Sequence, residues 1–417
     1  MALRVLVRNI GECLTLIGPE GPRRGAQMKK LGLIRDAAVL IENGTIAWVG
    51  AERRMPEPGK ARLSTHVDAK GGVVLPGYVD SHTHPVWLHP RLDDFEKRLQ
   101  GASYEEIAKG GGGILSSVNG VRGATEEDLL AALKPRLARF LAAGTTTIEA
   151  KSGYGLDAEN ELKMLRVLKK AGQDTPLTIV PTFLGAHAVP PELDGRRADY
   201  VRRVAGEMTS KVSEERLAVY ADVFCDQGYF TLEETRAMLT AAKAAGLKTR
   251  LHADQISRTG AARLAVEMGA ASADHLDRVG SEEIASLARS ETAACLLPAS
   301  NFFLNTPYPP ARLLLDAGAA VTLATDFNPG TAPCLSMAFV VSLACTQMKM
   351  AVSEAVTAAT ANAAWSLGLQ KAAGTIEPGK RADLICYDAM DHREIAYYVG
   401  GPPLLWVMKN GTLVHGS

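Results

Sequence analysis

Two histidines stand one residue apart in the run Pro76-Gly77-Tyr78-Val79-Asp80-Ser81-His82-Thr83-His84-Pro85. Alternate side chains of an extended chain share a face, so the imidazoles of His82 and His84 converge on one point. Neutral imidazole nitrogen is the commonest protein ligand for a transition metal, so such a pair is the start of a metal site. Three more histidines close short β-rich runs: His187 in Thr182-Phe183-Leu184-Gly185-Ala186-His187, His252 in Thr249-Arg250-Leu251-His252, and His275 in Ser272-Ala273-Asp274-His275. Asp326 closes another, Leu323-Ala324-Thr325-Asp326. Any one of them reads most simply as a core residue with its hydrogen bond satisfied. Five of the chain's 9 histidines at such places is not a chance scatter, whereas His66, His89, His392 and His415 have no such placement. A catalytic metal keeps a water position open beside three or four protein ligands. His82, His84, His252 and Asp326 would leave that position free, and the metal would bring the pKa of water from about 15.7 to roughly 7. Asp326 could then take the water's proton, His275 would polarise or transfer a proton, and His187 would touch substrate.

These residues need a frame that brings distant strand ends together. Thr125-Glu126-Glu127-Asp128 opens an apolar-periodic run that stops at Gly144, and Thr231-Leu232-Glu233-Glu234 opens another that stops near Gly246. The second opening is a capping box, and both read as helix starts. Between helices lie roughly eight β-rich runs, ending near Asp80, Ala150, Thr182, Phe224, His252, His275, Leu297 and Asp326. Repeated strand-helix units imply a parallel sheet, and eight imply a closed (β/α)8 TIM-type barrel whose site lies at the C-terminal mouth of the strands. A doubly wound open sheet is the competing fold, but no G-x-G-x-x-G follows the first strand. Gly110-Gly111-Gly112-Gly113 sits after a helical segment and reads as a turning loop.

The two ends of the chain carry the same signal. Ala38–Glu42 and Thr45–Val49 flank Asn43-Gly44, and Leu405–Lys409 and Thr412–Val414 flank Asn410-Gly411. Asn-Gly suits a two-residue type I′ hairpin, where both central residues need positive φ. Lone hairpins are marginal in water, so both ends are expected to join, with Asp383–Tyr387, in one small β-sandwich domain. The expected division is 1–74 with 372–417 for the small domain and 75–371 for the barrel.

The chain has 417 residues, enough for such a barrel with an accessory domain. Hydrophobic residues at 47% supply a large core and exclude general disorder. The formal net charge of +0 gives no support to a nucleic-acid or acidic-membrane partner. No apolar run reaches the roughly 18 residues of a membrane span, and the first residues do not read as a signal peptide. The six scattered cysteines form no C-x-x-C pair, which argues for a reducing cytoplasm.

The H-x-H, the two later histidines and the aspartate, each closing its own strand, resemble the amidohydrolase superfamily. Longer runs narrow this: Arg91-Leu92-Asp93-Asp94-Phe95-Glu96, Gly101-Ala102-Ser103-Tyr104, Gly111-Gly112-Gly113-Ile114-Leu115-Ser116, Lys151-Ser152-Gly153-Tyr154-Gly155-Leu156, the Phe183–His187 run and Asp326-Phe327-Asn328-Pro329-Gly330. Together they resemble the imidazolonepropionase family, nearly end to end. The resemblance implies hydrolysis of 4-imidazolone-5-propanoate to N-formimidoyl-L-glutamate in histidine degradation. It implies one divalent or trivalent metal ion, zinc or iron, on His82, His84, His252 and Asp326, and substrate contacts at Arg91, Tyr104, Tyr154, His187, Asn328, Gly330 and Thr331. Arg91 has the planar fork that suits a propionate carboxylate; its plain alternative is a surface pair with Asp93, Asp94 or Glu96. Such barrels often pair, which leaves a homodimer open.

Two places depart from the family's pattern. Gln255 stands where a glutamate is often found. An amide cannot ionise, so Gln255 is a hydrogen-bonding contact and proton transfer rests on Asp326 and His275. Trp87-Leu88-His89-Pro90 replaces an expected glycine-containing turn and could change how Arg91 is presented. Lys151 is read as a structural or supporting cation beside a mononuclear site. The competing functions are a related deaminase or formimidoyl-group hydrolase on the same metal site, and a non-catalytic scaffold with structural histidines.

Overall fold

In a computed structural model of the chain, residues 4–56, 65–102, 106–107 and 110–416 are described. The first five strands are β1 (Arg4–Leu14), β2 (Leu33–Glu42), β3 (Thr45–Ala51), β4 (Thr65–Asp68) and β5 (Val73–Pro76). Eight more follow in alternation with helices: β6 (Tyr78–Asp80), β7 (Thr145–Lys151), β8 (Thr178–Ala186), β9 (Tyr220–Cys225), β10 (Lys248–Ala253), β11 (Ser272–His275), β12 (Ala293–Leu296) and β13 (Val321–Leu323). The chain ends in β14 (Leu384–Tyr387), β15 (Leu404–Lys409) and β16 (Thr412–Gly416).

Both ends build one mixed sheet, in the order β16-β15-β14-β5-β1-β2-β3, with β4 also on β1. β1 pairs antiparallel with β2 on one edge and parallel with β4 and then β5 on the other. β5 in turn pairs antiparallel with β14. Val7, Val39, Ile41, Val74, Leu384, Trp406 and Met408 make the apolar core of this sheet. Both Asn-Gly turns have the positive φ pair their hairpins require: Asn43 51° and Gly44 80°, Asn410 49° and Gly411 75°. The turns touch each other. A Cβ on Gly44 would stand 2.7 Å from the Asn410 carbonyl oxygen, so glycine is needed there for contact as well as for φ.

The central strands form an eight-stranded parallel sheet in sequential order from β6 to β13. It closes just beyond the two end strands, where Thr83 bridges Phe327 in parallel register. In that seam the Asp326 N–H donates to the His82 carbonyl at 3.1 Å and the His84 N–H donates to the Phe327 carbonyl at 2.8 Å. The closing contacts of the barrel therefore fall on the candidate ligands themselves. β6 ends at Asp80, and it is this seam that keeps residues 82–84 extended so that the two imidazoles share a face. β8 runs past the expected end at Thr182 to Ala186, with a register shift between Phe183 and Ala186. That extension carries His187 to the mouth.

Both expected helices form, and both start in a capping box. Thr125 and Asp128 exchange bonds at the start of the helix Glu126–Ala142, which buries Leu129, Leu133, Leu137 and Phe140. Thr231 and Glu234 do the same for Leu232–Ala244. Among the described residues, no helix is long and apolar enough to cross a membrane.

Candidate active site

Asp274 Oδ2 accepts a hydrogen bond from His82 Nδ1 at 2.7 Å, which leaves a lone pair on His82 Nε2. That Nε2 faces His84 Nε2 at 3.2 Å and Asp326 Oδ1 at 3.6 Å, and His84 Nε2 is 3.6 Å from the same oxygen. His252 stands over them, its ring centroid 4.6 Å from that of His82, with Nδ1 held 3.0 Å from Asp222 Oδ2. All four side chains are buried. A lone pair aimed at a carboxylate oxygen and a second ring nitrogen, away from water, is an arrangement that a cation satisfies. The donor set fits a metal ion, and His82, His84 and Asp326 lie close enough together to hold one. Burial drives the His82 and His84 imidazoles well below their ordinary pKa, towards the neutral form a metal takes. It pushes the Asp326 carboxyl up to about 7 when no cation stands beside it.

His275 joins the cluster, with its ring centroid 5.2 Å from His252 and 5.5 Å from His82. His82, His252 and His275 form a second group able to hold a metal, so His275 stands next to the ligands rather than apart from them. His275 at φ 78° and Asp326 at φ 57° adopt left-handed backbone, uncommon outside glycine although Asp and His enter it more readily than most residues. His275 turns at the end of β11 and Asp326 three residues beyond the end of β13.

The substrate candidates line the same mouth. His187 stacks on His84 with centroids 5.2 Å apart, and its Nδ1 meets the Gly153 carbonyl at 2.9 Å, leaving Nε2 free. Tyr154 lies 5.3 Å from His187, centroid to centroid. The Arg91 guanidinium sits 5.5 Å from the Tyr154 ring. Arg91 is buried, its Nε donates to Ser117 Oγ at 2.9 Å, and its Nη2 has no hydrogen-bond partner among the described residues. The surface pairing with Asp93, Asp94 or Glu96 does not form; Asp94 instead accepts from the Gly113 N–H at 2.7 Å. Gly330 packs on this guanidinium, and a Cβ there would stand 2.3 Å from Arg91 Nη1.

Asn328 faces inward in another sense. Its amide donates to the Asp326 carbonyl and Thr331 Oγ1 and accepts from the Gly330 and Thr331 N–H groups, all at 2.7–2.8 Å. Asn328 and Thr331 thus build the turn that supports Asp326 and Gly330. Gln255 is half-buried on the loop after β10, with its N–H held by Asp226 Oδ2 at 2.8 Å. Tyr104 lies outside the described residues. The unusual Trp87 is buried under the Arg136 guanidinium, which also bonds the Pro85 and Trp87 carbonyls. This fastens the segment leading to Arg91.

Sequence reasoning read Lys151 as a supporting cation and missed the carboxylates that surround it. Lys151 is fully buried, with Nζ 2.8 Å from Glu149 Oε1, 2.8 Å from Asp222 Oδ2 and 3.9 Å from Asp274 Oδ2. Burial pulls its pKa down, but the three carboxylates outweigh that and hold it above the ordinary lysine value. Burial likewise opposes ionisation of Asp222, yet His252 and Lys151 keep its carboxyl well below the usual range. The available signal was an acidic residue inside an apolar strand run, Asp222 before Val223-Phe224 and Asp274 before His275.

The chain was compared with known proteins. The amidohydrolase family profile matches residues 73–414. The chain is 48% identical over 399 residues to the imidazolonepropionase of Rubrobacter xylanophilus, covering 94% of each. It is 45% identical over 413 residues to that of Geobacillus kaustophilus, covering 98% of this chain and 97% of the relative. Among solved structures, an adenosine deaminase from Xanthomonas campestris with bound zinc superposes with a TM-score of 0.71 at 19% identity, over 99% of this chain and 92% of the other. The ochratoxinase of A. niger does so with a TM-score of 0.67 at 20% identity, over 100% and 96%. These two share the fold.

Proposed function

We propose, on the footing that this chain belongs to the amidohydrolase family and within it to the imidazolonepropionases, that it hydrolyses 4-imidazolone-5-propanoate to N-formimidoyl-L-glutamate in histidine degradation. His82, His84, His252 and Asp326 would hold one metal ion, zinc or iron. Bound there, it would act as a Lewis acid and make water a nucleophile near neutral pH.

The chain's own residues do the rest. Asp326 takes a proton from the attacking water, whose oxygen adds to the ring carbonyl carbon. The ring C–N bond then breaks, the added oxygen stays in the new carboxylate, and a proton passes to the freed nitrogen. His275, beside His252, polarises the carbonyl or hands on that proton. His187 Nε2 and Tyr154 contact the ring, and Gln255 supplies a hydrogen bond without taking a proton. Arg91 receives the propionate, with Gly330 leaving room for its fork.

The observation that carries the choice of substrate is the buried Arg91 Nη2, a charged donor without a partner among the described residues, at the mouth of a metal-type cluster. A substrate with a carboxylate arm satisfies it. Six cysteines, none in a disulfide, support a reducing cytoplasm, and a homodimer remains part of the proposal. The test uses imidazolonepropionate generated by urocanase, following the loss of its absorbance and the appearance of formimidoylglutamate. Turnover that chelator removes and metal restores is expected. Release of ammonia in place of ring opening would favour the deaminase reading, and turnover indifferent to chelator would sink the metal assignment.

A further inference from the structure

Beneath the imidazole cluster lies a layer of charge that the proposed reaction does not use. Asp222 on β9 and Asp274 on β11 flank β10, the strand that carries His252 and Arg250. Asp222 backs the His252 ring and Asp274 backs the His82 ring. One cation from across the barrel, Lys151 on β7, reaches both carboxylates and also Glu149. An ammonium has three donors, and here three carboxylates surround it. The main chain of Lys151 is tied in as well. Its N–H donates at 2.9 Å to the carbonyl of Thr83, the residue between His82 and His84. Arg250 adds a second tie, donating to the Ser81 carbonyl at 2.9 Å with Asp274 Oδ2 3.6 Å away.

A buried cation among carboxylates is a weak source of stability, since apolar packing of similar volume commonly serves as well. What such a layer does supply is geometry. The His82 and His252 imidazoles each have one nitrogen within 3.0 Å of a carboxylate, and both carboxylates answer to one ammonium. We propose that Lys151 is a positioning residue that locks Asp222 and Asp274 in place and so orients His252 and His82 as a single unit towards the metal. This rests on the assignment of His82, His84, His252 and Asp326 as ligands.

The test is the zinc affinity of the metal-stripped full chain, measured by chelator competition, with the thermal midpoint of the metal-free protein recorded beside it. Lys151→Met lowers zinc affinity by roughly 10–100-fold, the range for loss of groups that orient metal ligands. Glu149→Gln touches the same ammonium but no imidazole, keeps an amide oxygen to accept from the Thr83 N–H, which Glu149 Oε2 now does at 3.2 Å, and lowers affinity by less than about fivefold. A merely structural role would lower both midpoints and leave the two zinc affinities alike. Native zinc affinity in Lys151→Met, or equal losses in the two variants, overturns the role of Lys151. Failure of the unaltered chain to take up zinc overturns the ligand assignment and this inference with it. Should Lys151→Met not fold, Asp222→Asn and Asp274→Asn are compared singly and together. If Lys151 joins them, the double variant loses less affinity than the product of the single losses, by roughly threefold or more. A loss equal to that product overturns the coupling.

Discussion

Arg91 sits one residue before a helix that carries Asp93, Asp94 and Glu96, yet it pairs with none of them. A buried guanidinium with one nitrogen left over is costly unless an anion arrives. A charge-assisted contact to that anion contributes about 1.5–3 kcal/mol. Arg91→Met is therefore expected to lower kcat/KM by roughly 10–100-fold, since 1.36 kcal/mol is tenfold. Metal content should not change, and an imidazolone without the carboxylate should be equally poor with both proteins. Equal loss on both substrates would deny Arg91 this role. The comparison of His275 with Gln255 is the second test at this scale. An imidazole that moves a proton is worth roughly 10²–10⁴-fold, and a neutral amide on a half-buried loop only positions. His275→Ala should thus cost kcat far more than Gln255→Ala, and steady-state kinetics with the reverse order would reassign the proton to the loop.

Loops hold most of what surrounds the chemistry, and buried carboxylates hold the loops. Glu161, from the helix Ala158–Asp174, accepts from the Gly153, Gly155 and Leu156 N–H groups and so shapes the turn carrying Tyr154. Asp226 does the same for residues 255–257. Gly330 belongs to this scale too, because its turn decides where Arg91 lies. Gly330→Ala would push a methyl group into Arg91 Nη1, the movable end of a side chain. The expected result is a rise in KM approaching that of Arg91→Met with a thermal midpoint within a few degrees of the parent. A large fall in midpoint with KM unchanged would mean the backbone moved instead. Most barrel strands, both hairpins and the capped helices were legible in the sequence, because Asn-Gly turns, helix caps and apolar period are local signals, whereas β8 runs on to Ala186 and β13 stops at Leu323, short of Asp326. The histidines were legible because each lies at or just beyond the end of a strand. Asp222, Asp274 and Glu149 were not, since their meaning depends on which strands become neighbours once the barrel closes. Asn328 reads from the chain as a contact, and only the geometry of its turn shows every polar atom of its amide engaged by backbone and Thr331.

One buried cation ties the small sheet to the barrel, beside the apolar packing of Leu75, Ile385 and Val407 into the barrel's core. Lys409 on β15 has Nζ 2.6 Å from Asp383 Oδ2 and 2.8 Å from Thr178 Oγ1 at the start of β8. Lys409→Met leaves the Asp383 carboxylate with the Asn410 N–H and Arg381 alone. Breaking a buried pair from one side costs about 3–5 kcal/mol. A clear drop in thermal midpoint is expected, with zinc content and kcat of the folded enzyme unchanged, and Lys409→Met with Asp383→Leu should recover part of it. An unaltered midpoint would show the pair to be dispensable. The path of β5 bears on how the molecule is made. One edge of this apolar strand is covered by β1, already synthesised; the other waits for β14, about 300 residues later, behind the entire barrel. At 5–20 residues per second, the ribosome leaves that edge open for roughly 15–60 s. Throughout that interval β5 has no partner on that edge, and an unpaired strand edge is where a growing chain is open to pairing with another copy.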